Sequence, residues 1–567
     1  MSLTIAARYE REANENSGED FELFYRVGAF SANAGYGKDM EVLMLVSRVF
    51  RDDSQFWEAI KDVPGSGRNK RSRLGYAAFI GDLERVVFLL ERGARVNLGE
   101  ANGKTALMWA SEKGHLEVVK ELCDRGANLN ATKTDFPRLT SLMFASREGH
   151  LEVVKELCDR GANVNAACTD GYTSLLWASE KGHLEIVKEL CDRGANVNAA
   201  TTDFGCTSLT EASYKGHLEI VRELCDRGAY VNAAQTDNGF TSLMWASMYG
   251  HLEIVRELCV GGANVNAART TDGYTSLMWA SEKGYLEIVR ELCVRGANVN
   301  AAMTIDGFTS LMAASEKGHL EVVRELCVRG ANVNAAMTDD GYTSLMWASA
   351  KGHLEIVREL CDHGANVNAA RTDDGYTSLM SASRKGHLEV VRELCGKGAD
   401  VNAARTDNGT TSLIWASKNG HLEVVRELCG KGANVNAASR YGYTSLISAS
   451  HNGHLEIVKE LCVRGANVNA AMTNYEFTSL MWASRKGHLE VVKELCERGA
   501  DVNAANDVGF TSLMWASYYG HLEVVKELCD YGADVNAASD DDDTSLMIAT
   551  DKGFLEIVKE LREKGAL

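Results

Sequence analysis

Apolar positions in this chain recur as pairs of short helical patterns. Within residues 342–375, Leu345, Met346 and Ala348 share one face of a first segment. Leu354, Val357, Leu360 and Cys361 fall on one side of a second, again at helical spacing. Polar punctuation brackets both. Thr343 offers a hydroxyl to cap the first helix, with Ser344 at its first position. Gly352 supplies a left-handed stop, His353 turns the chain, and Gly364 ends the second helix. Asn366, Val367, Asn368, Ala369 and Ala370 then cross to a turn at Asp373, Asp374 and Gly375. At Tyr376, 34 residues after Tyr342, the pattern begins again.

A fixed period of 33 to 35 residues predicts a solenoid of stacked helical hairpins. Neither helix reaches the roughly 12 to 15 residues an isolated helix needs in water. Each hairpin must therefore bury its apolar face on its neighbours. Helix-ending glycines mark fifteen units: Gly81, Gly114, Gly149, Gly182, Gly216, Gly250, Gly284, Gly318, Gly352, Gly386, Gly420, Gly453, Gly487, Gly520 and Gly553. In the last unit Arg562, Glu563 and Lys564 suit a water-facing end. At about 10 Å per unit the array predicts a curved rod roughly 150 Å long.

The segment Thr343 to Ala348, T-S-L-M-W-A, resembles the T-P-L-H-x-A signature of the ankyrin repeat. The G-H-L-E-I-V helix start and the G-A-N-V-N-A-A loop resemble that family closely. The resemblance covers about seven eighths of the chain. It implies an all-α ankyrin solenoid of helix-turn-helix units joined by β-turn loops, and a non-enzymatic protein-binding scaffold. Two departures are systematic. Ser stands where the family usually has Pro, and Met where it has a His that hydrogen-bonds neighbouring loops. A looser loop edge is the implied consequence.

The repeats define an array over residues 72–567, preceded by a polar tail at 1–35 and a short helical segment at 36–71. In that segment Asp39 and Ser54 are candidate caps for two helices. The stretch 46–60, VSRVFRDDSQFWEAI, resembles the second half of an F-box, the module that docks onto the Skp1 subunit of ubiquitin ligases. The simpler reading of the same stretch is a helical cap on the first repeat. The basic cluster at 68–73 reads as a solvated boundary or as a nuclear import signal.

Charge and cysteine change the picture in two places. The net charge of −19 argues against general nucleic-acid affinity, which depends on Lys and Arg neutralising phosphates. Of fifteen cysteines, thirteen occupy one repeat position, from Cys123 to Cys529. Neighbouring helices pack about 8 to 10 Å apart, too far for a disulfide. These cysteines read as small buried apolar residues. Cys168 and Cys206, in loops, read as the more reactive pair. So many free thiols point to a reducing, cytoplasmic setting. The longest apolar run, around residues 42–50, is far short of a membrane span.

Catalytic chemistry is absent from the pattern. Twelve of fourteen histidines follow a helix-ending glycine, a full repeat apart and too distant to share a metal. No catalytic set, metal site or cofactor site is expected. Binding is expected on three stripes. The first is aromatic and precedes the capping Thr: Tyr172, Phe240, Tyr274, Phe308, Tyr342 and Tyr376, with Tyr443, Phe477 and Phe510 beyond. These rings either anchor a partner or pack on the adjacent turn. The second lies on the first helices. Trp245, Trp279, Trp347 and Trp415 alternate there with Glu211, Ala313, Ser381 and Ser448. A position that swaps so freely should not be fully buried, so the indoles read as half exposed along a groove, with core filling as the other reading. The third is charge, with Asp340 and Asp374 among the acidic loop tips. Acidic tips beside aromatics suit a basic, extended segment of a protein partner.

Overall fold

Threonine decides where each first helix begins. The Thr343 hydroxyl accepts from the Met346 N–H at 3.4 Å, and the helix Ser344–Lys351 runs to Gly352, whose φ of 79° ends it. The second helix, Leu354–Asp362, starts directly after His353. The computed structural model describes residues 72–567, in two units that divide after Asp237. The first unit carries five such helix pairs, starting with Arg73–Ile80, and the second carries ten. The F-box-like stretch and the remainder of 1–71 lie outside the described residues.

Within each unit, first helices pack on first helices of adjacent repeats, and second helices on second. Leu345, Met346 and Ala348 are buried, as their spacing predicts. The second helix is rotated from its predicted setting. Ile356, Val357 and Leu360 are buried, whereas Leu354 and Cys361 are only half-buried at the edges of that arc. Three contiguous apolar side chains span about 100° at i, i+1 and i+4, which is the stripe a surface helix buries.

The loop edge is firmly tied, contrary to the expectation drawn from the missing His. Across one loop, Arg371 N–H donates to the Tyr376 carbonyl at 2.9 Å. Between repeats, Thr372 N–H donates to the Asp340 carbonyl, and Thr406 N–H to that of Asp374, at 2.9 and 2.8 Å. Asparagine adds a second series. Asn334 Oδ1 accepts from Asn366 N–H at 2.7 Å, while its Nδ2 donates to the Gly364 carbonyl at 3.0 Å. Each repeat thus holds the start of the next loop from both sides. In some repeats the Met that replaces His also contributes, as Met278 Sδ accepts from Thr275 N–H at 3.4 Å.

Histidine closes the other edge. His353 Nε2 bonds the Glu316 carbonyl of the preceding repeat at 3.1 Å. Its ring lies so close to Gly318 that an added Cβ would sit 2.8 Å from Cε1. Gly318 is therefore needed twice, for a φ of +86° and for the absence of a side chain.

Two expectations follow. Gly318→Ala and Gly330→Ala both carry the left-handed penalty of about 1–2 kcal/mol, but only Gly318 faces the next repeat, since Gly330 has open space around it. Amide exchange of the repeat bearing His353 should therefore accelerate more in Gly318→Ala; equal effects would show that the ring contact carries no stability. Ser349 is fully buried and its hydroxyl has no partner. Ser349→Ala should slow local opening, by about 1 kcal/mol, and a loss of protection would mean that the hydroxyl is satisfied.

Candidate partner-binding groove

The first two predicted stripes form one surface. Where a repeat of the second stripe carries both, the ring before the capping Thr packs on the indole of its own repeat. Centroids lie 4.8 Å apart for Tyr172 and Trp177, 4.4 Å for Phe240 and Trp245, 4.5 Å for Tyr274 and Trp279, and 4.7 Å for Tyr342 and Trp347. Where Ala313 replaces Trp, Phe308 reaches Trp347 of the next repeat instead, edge-on at 6.4 Å. The pre-Thr rings are the deeper members. Phe240, Tyr274 and Tyr376 are buried, and Tyr172, Phe308 and Tyr342 half-buried. Tyr274 also donates its hydroxyl to Glu282 at 2.6 Å.

The indoles lie above them. Trp245, Trp279, Trp347 and Trp415 are all half-buried. The Nε1 atoms of Trp279, Trp347 and Trp415 are turned inward and have no hydrogen-bond partner. The side the indoles present to solvent is thus carbon, suited to apolar contact. The freely swapping position is not uniformly open, however. Ala313, Ser381 and Ser448 are buried there because small side chains drop below the level of the flanking rings, and Phe144 is buried in a cluster with Met143 and Cys168 against which Tyr172 and Trp177 pack.

The loop-tip acids do structural work. Asp340 Oδ1 accepts from Tyr342 N–H at 2.9 Å, and Asp374 Oδ1 from Tyr376 N–H at 2.9 Å. Their second oxygens meet arginine. Arg371 lies 3.4 Å from Asp340, and Arg405 lies 2.8 Å from Asp374. Arg371 and Arg405 also pair with Asp373 and Asp407 at 2.6 and 2.7 Å. Two guanidiniums thus hold four of these carboxylates, a pairing that the alternation of loop residues did not reveal.

The thiols differ from expectation in location. Cys168 and Cys206 are buried under their loops, which removes the exposure that reactivity needs. Cys206 Sγ accepts from Gln235 Nε2 at 2.9 Å, and burial pushes its thiol pKa up. Of the thirteen repeat cysteines, Cys158, Cys327 and Cys496 are buried and the others half-buried, all reduced. Burial pushes Cys361 up to about 11 and Cys496 to about 12. Such thiols stay protonated and behave as small apolar groups.

One position in the first unit is electrostatically unusual. Glu211 stands where its neighbours carry Trp, and burial followed by the nearby Glu180 raises its carboxyl pKa. Elsewhere among the described residues, no group of three His, Cys, Asp or Glu side chains is placed to hold a metal ion. No described helix is long and apolar enough to cross a membrane.

A family model described as ankyrin repeats, in three copies, matches the chain in overlapping spans from residue 43 to residue 567. The chain belongs to the ankyrin-repeat family. Individual relatives match short stretches. A probable E3 ubiquitin-protein ligase of Oryza sativa subsp. japonica is 48% identical over 66 residues, 12% of this chain and 13% of the relative. The acyl-CoA-binding domain-containing protein 6 homolog of Dictyostelium discoideum is 35% identical over 63 residues, 11% and 22% respectively. Ankyrin repeat domain-containing protein 40 of Mus musculus is 40% identical over 73 residues, 12% and 20%. The chain therefore spans less than a quarter of these relatives. The mouse relative is named for ankyrin repeats, and ankyrin repeats form protein–protein interaction scaffolds.

Glu211 sets a pH expectation. A carboxyl with a raised folded-state pKa costs no stability at low pH, where it is protonated in both states. The cost appears as pH rises past its ordinary range and is complete above the raised value. Glu211→Gln should therefore slow amide exchange around Leu209 at neutral pH, with the gain vanishing towards pH 4. A gain independent of pH would assign the effect to packing.

Proposed function

We propose that this ankyrin protein is a non-enzymatic scaffold that holds an extended segment of a protein partner along the groove of its first helices, with the loop tips as its rim. The observation that carries this reading is the row of half-buried indoles on one face, with Trp177, Trp245, Trp279 and Trp347 each braced by a buried or half-buried ring. Rigid aromatic surface of this kind costs little side-chain entropy on binding and is favoured at interface centres. The second-helix face offers a different chemistry, with Arg358 held between Glu355 at 2.8 Å and Glu393 of the next repeat at 3.0 Å. Paired, exposed charges of that kind contribute little to affinity. The reduced thiols fit a cytoplasmic setting.

A photo-crosslinking amino acid tests the assignment of faces. Placed at exposed Lys351, beside the groove, it should capture partner protein in the native cell; placed at Arg358 it should not. Trp347→Ala should weaken capture from Lys351 by about tenfold or more while the amide protection of the array is retained. Capture from Arg358 alone would move recognition to the second-helix face. Loss of protection with unchanged capture would make the indoles core.

A further inference from the structure

One groove position changes sign along the second unit. Two residues before each helix-ending glycine stand Glu282 and Glu316, then Ala350, then Arg384, Lys418, His451 and Arg485 in four consecutive repeats. The cations lie on the groove rings. Arg384 and Lys418 flank Trp415, at 4.9 and 5.4 Å from its ring centre. His451 stacks on Trp482 at 4.1 Å. Arg485 lies 5.2 Å from the centre of Trp482 and 4.9 Å from that of Trp515. None of Arg384, Lys418 and Arg485 has a carboxylate within ion-pair distance among the described residues, unlike the arginines of the second helices. His451 reports the resulting field: burial, then Lys486 and Arg485, lower its pKa.

At the head of this row lies a cavity of about 170 Å³. It exists because two side chains shrink together: Ser381 replaces the Trp of repeats on either side, and Ala350 replaces a Glu. Tyr342 and Tyr376 line it, with Arg371, Arg384 and Arg405 beside them. Ser381 is 2% exposed, and its buried hydroxyl lies between the phenols of Tyr342 and Tyr376. Arg371 and Arg405 are already engaged by Asp340, Asp373, Asp374 and Asp407. Arg384 and the adjoining Lys385 are the cations left for a ligand. The cavity thus offers a buried hydroxyl between two phenols, with the Asp374 carboxylate in its lining held by Arg405 and with Arg384 and Lys385 outside any ion pair among the described residues, a set that matches an anionic side chain.

We infer that the groove from Ala350 to Lys486 binds an extended acidic segment of a protein partner, with one anionic side chain seated in the Ser381 cavity. This rests on the groove reading above and sets the sign of the partner for this stretch. The spacing fits. Repeats advance about 10 Å and an extended chain about 3.3 Å per residue, so acidic residues at every third position would meet Arg384, Lys418, His451 and Arg485 in turn. The bordering aspartates and the chain's net charge of −19 disfavour a long uniform polyanion such as nucleic acid.

Fluorescence anisotropy on the full-length protein tests this. The probe is a labelled peptide of repeated Glu-Gly-Ser triplets, compared with its Lys-Gly-Ser and Ala-Gly-Ser counterparts. The Glu peptide should bind most tightly, and more weakly as salt rises. Ser381→Trp, which refills the cavity with the side chain of neighbouring repeats, should weaken it by about tenfold. Arg384→Glu combined with Lys418→Glu, both at exposed sites, should abolish it. A version with phosphoserine in place of one Glu decides the source of the anion: tighter binding that Ser381→Trp removes points to a phosphorylated partner, and equal binding to a carboxylate. Indifference of the protein to peptide charge, or of the Glu peptide to both variants, would overturn the inference. Tighter binding of an oligothymidylate would assign the groove to nucleic acid instead. If the Glu peptide fails while Lys351 still captures a partner, only the acidic assignment falls; if both fail, the groove reading falls with it.

Discussion

The array depends on a contact that involves almost no atoms on one side. A glycine ends each first helix in the left-handed conformation, and the ring that opens the next repeat's second helix fills the space its missing side chain leaves. Tyr285 against Gly250 and Phe554 against Gly520 keep the ring contact where His is absent, with 2.9 and 2.8 Å to an added Cβ. The ring fit is therefore common to all three residues, and the bond from Nε2 to the preceding carbonyl is an addition made by His. Because helices of eight or nine residues cannot persist alone, this joint and the asparagine and backbone series on the opposite edge convert marginal hairpins into a stack within each unit.

Such a joint fixes what the rest of the repeat is free to do. Positions facing the stack are nearly invariant because each must fit its copy in the next repeat. Three positions on the first helix face outward, those carrying Trp347, Ala350 and Lys351, and these are where the repeats differ. The second-helix face varies in a narrower way. Arg358 reaches both its own Glu355 and Glu393 of the following repeat, whereas Lys188 meets only Glu185 of its own helix. A guanidinium fork can bridge two carboxylates where an ammonium favours one. Exposure keeps either contribution small.

The period, the caps, the glycine stops and the first-helix core were legible in the sequence because each is a local pattern repeated many times. The second-helix core was not. Leu354, Ile356, Val357, Leu360 and Cys361 are all apolar, so spacing alone allowed two faces, and only packing against the first helices selected Ile356. The loop edge was misread for a related reason. A family residue was missing, and the asparagines that compensate reach residues about 30 positions away. Cys168 and Cys206 looked exposed because they lie in loops, but Cys168 packs in a cluster beside Tyr172 and Trp177 and Cys206 is buried beneath Gln235. The groove stripes were visible as residues, yet their meaning was hidden by pairing, since Asp340 and Asp374 cannot be told from free acids until Arg371 and Arg405 are placed.

Near-identical repeats raise a problem of register that any partner must overcome. If every groove step presented the same side chains, an extended segment could bind in many equivalent positions, and affinity would carry no information about where it sat. A gradient removes that degeneracy. Passing from Glu282 and Glu316 through Ala350 to Arg384, Lys418 and Arg485 gives the groove a direction, so a segment with charge at one end meets attraction in one orientation and repulsion in the other. The Ser381 cavity adds a single fixed point, because it arises only where two small residues coincide. The stacking contacts therefore supply a rigid ruler, and a few departures from the repeat supply the marks on it.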